Sequence, residues 1–317
     1  MTSIATVPAE YSAVTESAGL VDRSERGKLA LTGGEAKEFL QGQVSNDVES
    51  LVSGTGCYAA LLTPKGKMLG DLRILDAGDE LLLDTERVAL QALFNAIRRT
   101  MIGHDVGLHK RTLERGLLSL IGPEALSLIG LEALAGAPEH THVSQSVAGT
   151  AVRAVRTELG VDLLCDSAET SALRTALADA GATPISEETA EVIRVEHGRP
   201  RYGIDLDESV IPQEAGLNER AVSFTKGCYV GQETVARLYY RGKPNRHLRG
   251  LRLSGVAATG DPIRLGDRDV GHLGSVADSP RLGPIALALV RREVPLGATV
   301  DVGAGATTAE VVDLPFA

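Results

Sequence analysis

The chain has no tryptophan, 3 methionines and 3 cysteines in 317 residues, and aromatic side chains make up only 3% of it. Cys57, Cys165 and Cys228 are odd in number and far apart, which excludes a disulfide framework and a paired-cysteine metal knuckle. At least one thiol is therefore free, and three dispersed cysteines cannot supply the four thiolates of an ordinary iron–sulfur cluster held within one chain. No apolar run approaches the roughly 18 residues of a spanning helix, and the opening MTSIATVPAEYSA lacks a basic stretch followed by an apolar one. A cytoplasmic location with no membrane partner is the expectation. Positive charge is also scarce: 32 Lys and Arg stand against 42 Asp and Glu, a net charge of −10, which argues against coating nucleic acid with the whole surface. Neither the P-loop pattern nor a dinucleotide-binding glycine turn is present, so nucleotide-binding enzymes are disfavoured.

What is present is ordinary for a folded protein of about two domains, with 43% hydrophobic and 23% charged residues. The first 18 residues are small and polar and read as a fraying end. Lys28–Thr32 alternates as a strand, Gly33-Gly34 turns the chain, and Phe39 and Leu40 mark a short helix. Tyr58–Thr63 and Met68–Leu75 are apolar runs flanking Pro64-Lys65-Gly66-Lys67, the chemistry of an antiparallel hairpin. Leu81–Asp84 reads as a strand, and Leu90, Leu93, Phe94, Ile97 and Met101 repeat at helical spacing. A second block repeats the signals: a strand at Gly116–Ile121, a short helix opening at Gly122-Pro123, strands at Val152–Arg156 and Leu159–Cys165, and a helix closed by Gly181. Ser186 can cap a helix over Glu187–Glu196. Periodicity then fails from Arg199 to Arg249, and short apolar segments from Leu248 onward, broken by turn residues, predict an antiparallel β-barrel. The fold class expected is α+β.

The irregular passage holds the chemistry. Lys226–Arg252 carries seven cations (Lys226, Arg237, Arg241, Lys243, Arg246, Arg249, Arg252) against the single acid Glu233, and three of the six tyrosines, Tyr229, Tyr239 and Tyr240. Rings and guanidinium groups together suit a flat, anionic ligand, either a pterin with a glutamate tail or single-stranded RNA; a solvated, salt-bridged linker is the plainer alternative. Cys228 follows Lys226 by two positions, and a neighbouring cation favours the thiolate, although a lone cysteine is more often a small buried hydrophobe.

Lys226-Gly-Cys-Tyr-Val-Gly-Gln-Glu233 resembles the signature of the YgfZ family, folate-binding relatives of the glycine-cleavage T protein, an aminomethyltransferase. Leu40–Asp47, Pro64–Met68 with Asp71-Leu72-Arg73, Arg194–Gly198, Gly203–Asp205, Pro212–Glu214, Val270–Ser275 with Ser279-Pro280, and Ala286–Val290 resemble family segments in the same order. The resemblance implies a ring of α/β lobes, antiparallel sheets with packed helices, around a folate cleft. Residues 19–247 would form the folate-binding region, with two lobes joined near residue 110, and residues 248–317 the barrel. It further implies tetrahydrofolate or another reduced folate as cofactor, bound by Glu196, Asp71, Lys226, Tyr229 and Arg237. Glu196 would accept bonds from the pterin N–H groups; its alternative is a pair with Arg194 or Arg199. Cys228 would be a redox or transfer thiol. Where the T protein carries two adjacent acids, this chain has Gly70-Asp71, so Asp71 either acts on the folate or merely ties the hairpin to Lys67 or Arg73. The resemblance implies an accessory protein serving iron–sulfur cluster assembly or repair through client proteins, and that departure the expectation that it lacks glycine-cleavage activity. A folate-dependent aminomethyl or one-carbon transferase and an RNA-binding module are the alternatives.

Overall fold

The computed structural model describes residues 7–316. The expected fraying of residues 1–18 concerns, for residues 1–6, a part outside the described residues. Beyond them it is corrected, because Val7–Glu16 is a helix. Glu10 anchors that helix by accepting hydrogen bonds from Ser186 N (2.8 Å), Ser186 Oγ (2.6 Å) and Thr189 Oγ1 (2.6 Å). Burial opposes the charge of Glu10, but these bonds outweigh it and hold its pKa below the ordinary value. The anchor lies some 180 residues downstream, so no local pattern announces it.

Two sheets are built from the alternating strands. One has five strands in the order Gly56–Leu62, Met68–Asp76, Leu81–Thr85, Gly27–Thr32, Gly107–Lys110. The other has six, in the order Thr183–Pro184, Gly19–Asp22, Arg115–Ile121, Gly160–Asp166, Thr150–Thr157, His142–Val147. The hairpin closes as expected, with Lys67 O accepting from Thr63 N at 2.8 Å. The helix expected from Leu90 spans Leu90–Thr100 and buries Leu93 and Ile97, with Arg98 and Arg99 in its last turn where cations suit the dipole. The short helix expected after Pro123 is instead two 3-10 turns, Ser127–Ile129 and Glu132–Leu134.

The chain packs as two compact units: one takes the chain to Ala59 and Asp71–Ala190, the other Ala60–Gly70 and Glu191 onward. In the first, Leu75, Leu117, Val155 and Leu164 form an apolar cluster drawn from both sheets. In the second, six strands close into a barrel in the order Arg246–Leu253, Gly283–Arg291, Arg268–Ser279, Pro262–Leu265, Thr299–Val302, Thr307–Val312. Closure removes free strand edges, and Leu251, Ile263, Ala286, Val300 and Val311 fill the interior. The passage Arg199–Arg249 is not wholly irregular: it contains the helices Asn218–Ala221 and Gln232–Arg241. The second starts at Gly231, φ 85°, where a Cβ would meet Thr63 O at 2.5 Å, so the helix begins against the hairpin turn.

The barrel-bearing unit starts at Glu191, upstream of the Leu248 boundary, because polar ties fasten the intervening chain to the barrel. Asp205 is their centre. Its carboxylate, with a side chain of zero exposure, accepts from Ser275 N (2.7 Å), Ser275 Oγ (2.9 Å), Arg201 N (2.8 Å) and Arg194 Nη1 (3.1 Å). A Cβ at Gly274 would lie 2.4 Å from Asp205 Oδ1, so only glycine leaves room for that seat. Removing one partner of a buried charged set leaves the others unpaired. Asp205→Ala is expected to lower the unfolding free energy by about 3–5 kcal/mol in urea denaturation, whereas the exposed neighbour Ile204→Ala changes it by less than about 1 kcal/mol.

Candidate active site

Asp71 lies in the strand Met68–Asp76 and is buried. Its side chain is tied to neither Lys67 nor Arg73, the two ties expected of a purely structural role. Tyr58 Oη donates to Asp71 Oδ2 at 2.5 Å, and Thr85 Oγ1 donates to the Asp71 carbonyl at 2.5 Å. Lys67 Nζ instead faces Ser209 O and Glu214. Arg73 pairs with Asp84 (3.0 Å) and Asp162 (2.7 Å), and Arg26 pairs with Asp84 (3.0 Å) and Glu86. Burial first, with Glu86 adding to the push, raises the Asp71 pKa to about 6, against the lowering pull of the Tyr58 hydrogen bond and of Arg26. A carboxyl so placed exchanges its proton near neutral pH, as an acid–base group must.

The helix Glu187–Glu196 ends on Glu196, which belongs to the second unit and is 5% exposed. Arg194, one of the two expected alternative partners, turns to Glu191 (2.6 Å) and Asp205 (3.1 Å). Glu196 Oε1 accepts from Ser279 Oγ, and Arg281 Nη2 lies 3.8 Å from Oε2. Ser279 Oγ itself accepts from Arg281 N (3.1 Å) and Leu282 N (2.9 Å). Its lone pairs are thus engaged and its single proton goes to the carboxylate.

The basic window divides. Arg246 pairs with Glu214 (3.0 Å), Arg249 with Asp313 (3.3 Å), and Arg252 lies 6.0 Å from the Phe316 ring centroid. These three cations serve the architecture of the unit, as the plainer reading of the window required. Lys226 Nζ sits 5.1 Å from the centroid of the Tyr229 ring, a cation–π contact. Tyr229 is buried, and burial pushes its hydroxyl pKa up to about 12. Cys228 is exposed, so it is not the small buried hydrophobe that lone cysteines often are. Arg237 is exposed on the helix Gln232–Arg241, whose Tyr239 stacks on Phe224 at 3.8 Å with Tyr240 edge-on at 5.0 Å. Sequence reasoning missed Tyr58 and Ser279, the groups that set the two buried carboxyls. Tyr58 sits on the neighbouring hairpin strand, and the Ser279-Pro280 pair was the one available signal for Ser279.

Residues 2–226 match the GCVT N-terminal domain and residues 246–317 the glycine cleavage T-protein C-terminal barrel domain. The chain belongs to the glycine cleavage T-protein family. An aminomethyltransferase of Rubrobacter xylanophilus is 32% identical over 320 residues, covering 98% of this chain and 86% of that one. One of Parasynechococcus marenigrum is 32% identical over 97% and 89% of the two chains. The crystal structure of the glycine cleavage system aminomethyltransferase T of Bartonella henselae superposes with a TM-score of 0.86 over 98% of this chain and 89% of that chain, at 24% identity, a likeness of fold. The expected α+β fold, with antiparallel sheets, packed helices and a closed C-terminal barrel, is that of the family. The expectation of an iron–sulfur accessory factor lacking glycine-cleavage activity is overturned: the near full-length relatives are aminomethyltransferases, and losing one of two adjacent acids is too small a departure to outweigh them. None of the described helices is long and apolar enough to cross a membrane.

The raised pKa of Asp71 has a consequence for stability. The folded protein keeps a proton that the unfolded chain releases, so stability falls as pH rises from the ordinary carboxyl pKa of 3.8 to about 6 and is then level. At about 1.4 kcal/mol per pKa unit, the loss is on the order of 3 kcal/mol. Asp71→Asn is expected to remove this loss, which urea denaturation of both proteins across the pH range checks.

Proposed function

We propose that this chain is a folate-dependent aminomethyl or one-carbon transferase. The observation that carries the reading is a buried carboxyl, Asp71, held by Tyr58 and poised to exchange a proton near neutral pH, in a chain whose near full-length relatives are aminomethyltransferases. Tetrahydrofolate, when bound, supplies the nitrogen that accepts the one-carbon unit. Asp71 takes or returns the proton on that nitrogen, and Tyr58 holds the carboxyl in place. Glu196, oriented by Ser279, accepts the N–H groups of the pterin edge. Lys226 and Arg237 offer cations for the glutamate carboxylates, and Tyr229 a ring face. The likeness of Lys226–Glu233 to the YgfZ signature supports the assignment of this segment to folate binding.

Isothermal titration with tetrahydrofolate under reducing conditions, with a glycine-cleavage transfer assay on the same sample, tests the reading. One-site binding with transfer is expected; binding without transfer overturns the transferase, and absence of binding overturns the folate assignment. Asp71→Asn is expected to slow transfer by roughly 100-fold or more while leaving folate affinity within a few-fold. Glu196→Ala is expected to weaken folate binding by at least about tenfold, since it removes a charged acceptor. Cys228→Ala keeps the fold and the folate affinity, because its side chain is exposed, and its transfer rate reads directly whether the thiol takes part.

A further inference from the structure

The first unit contains a cavity of about 430 Å³ that includes none of the residues assigned above to folate. Its floor is aliphatic, from Leu75 and Leu82 of the five-stranded sheet and Leu164 of the six-stranded one. Leu75 follows Asp71 by four residues on one strand, about 13 Å at strand rise. Cross-strand register explains which polar groups join this floor: Leu164 pairs with Arg153, and Arg115 with Asp166, so Arg153, Leu164 and Arg115 share one face of the sheet.

The charges around the cavity do not balance. Asp84 is consumed by Arg26 and Arg73. Glu80 faces Arg111 at 3.7 Å, and Arg111 is further paired with Glu114 at 2.7 Å. Lys28 Nζ donates to Ser24 O (2.8 Å) and Arg26 O (3.1 Å). Arg115 and Arg153 remain, both lining the cavity and neither within ion-pair distance of a carboxylate among the described residues. Arg153 is nevertheless fixed: its Nη1 donates to His142 Nδ1 at 3.0 Å, which requires a neutral, accepting imidazole. Burial first, and then Arg153 itself, lower the pKa of His142 to about 4, so the ring stays neutral at physiological pH. Asp79 and Glu80 reach Arg153 only as longer-range fields.

Arg153 is half-buried without a counter-ion, Arg115 stands exposed at the same cavity, and a guanidinium pair matches a carboxylate bidentately. We propose that this cavity binds a small organic carboxylate with an apolar body, its head held by Arg115 and Arg153 and its body on Leu75, Leu82 and Leu164. The volume is within the range of small-molecule sites and admits a ligand of about 10–15 non-hydrogen atoms. The proposal is independent of the transferase reading.

The test uses 4-phenylbutyrate as probe and 4-phenylbutanamide as its uncharged counterpart, titrated calorimetrically into the whole chain with and without saturating tetrahydrofolate. Saturable one-site binding of the acid is expected, at least about tenfold tighter than the amide, with roughly tenfold weakening in Arg115→Gln and in Arg153→Gln. Arg115 is exposed, so its replacement leaves the fold intact, and binding that persists undiminished in Arg115→Gln overturns the assignment. Equal binding of acid and amide, or no saturation by either up to about 10 mM, overturns the proposal, since millimolar affinity is the floor for a built site. Displacement of the probe by tetrahydrofolate would make the cavity part of the folate site and overturn its independence.

Discussion

The arrangement of the first unit depends on a buried alternation of charges between its two sheets. Arg26 joins Glu86 and Asp84, Asp84 joins Arg73, Arg73 joins Asp162, and Asp162 accepts from Ser119 Oγ at 2.6 Å. Arg73, Asp84 and Ser119 are nearly without exposure. Such a chain gains little net stability over an apolar replacement, yet losing any member leaves a buried charge uncompensated, so its register is strictly held. For Asp71 the consequence is indirect. Arg73 lies two residues along the same strand, on the same face, and would depress the carboxyl pKa if it were free to pair there. Asp84 and Asp162 hold that guanidinium elsewhere. The proton-exchanging character of Asp71 is a product of where its neighbours' charges are spent as much as of its own burial.

The same sheet-to-sheet layer changes character along its length. Beyond the charged chain comes the aliphatic cluster of Leu75, Leu117, Val155 and Leu164, and beyond that the cavity with Arg115 and Arg153. Each step follows from period-two alternation on facing strands: Asp71, Arg73 and Leu75 point one way, and Ser119, Leu117 and Arg115 come from the other sheet in reverse order.

Local signals made much of this legible. The hairpin about Pro64–Lys67, the helix from Leu90 and the barrel strands were readable because period and turn chemistry are encoded within some ten residues. The helix Gln232–Arg241 was not, since only Val235 of its ten residues is buried and charged groups mask its period. The edge strand His142–Val147 was missed because its two faces mix polar and apolar residues, with exposed Ser144 and Ser146 beside buried His142. Among the candidate site residues, Lys226, Cys228, Tyr229 and Arg237 stood out as part of a basic, tyrosine-bearing window, whereas Asp71 and Glu196 were reached through a family resemblance. What a resemblance of short segments cannot supply is the partner: Tyr58 meets Asp71 across a hairpin, and Ser279 meets Glu196 from 83 positions away.

That second pairing explains how a helix can end on a buried carboxylate. Negative charge at a helix C-terminus faces the carbonyl end of the dipole, and burial adds a desolvation cost. The barrel strand Arg268–Ser279 answers both with side chains four residues apart, Ser275 on Asp205 and Ser279 on Glu196. Because Ser279 already accepts from Arg281 N and Leu282 N, its hydroxyl has one direction left for its proton. Phe316 N also donates to the Glu196 carbonyl at 3.0 Å, which quiets one of the helix's unsatisfied terminal acceptors. The barrel is thus the element that orients the helix end, and the carboxylate owes its place to strand residues that carry no titratable group of their own.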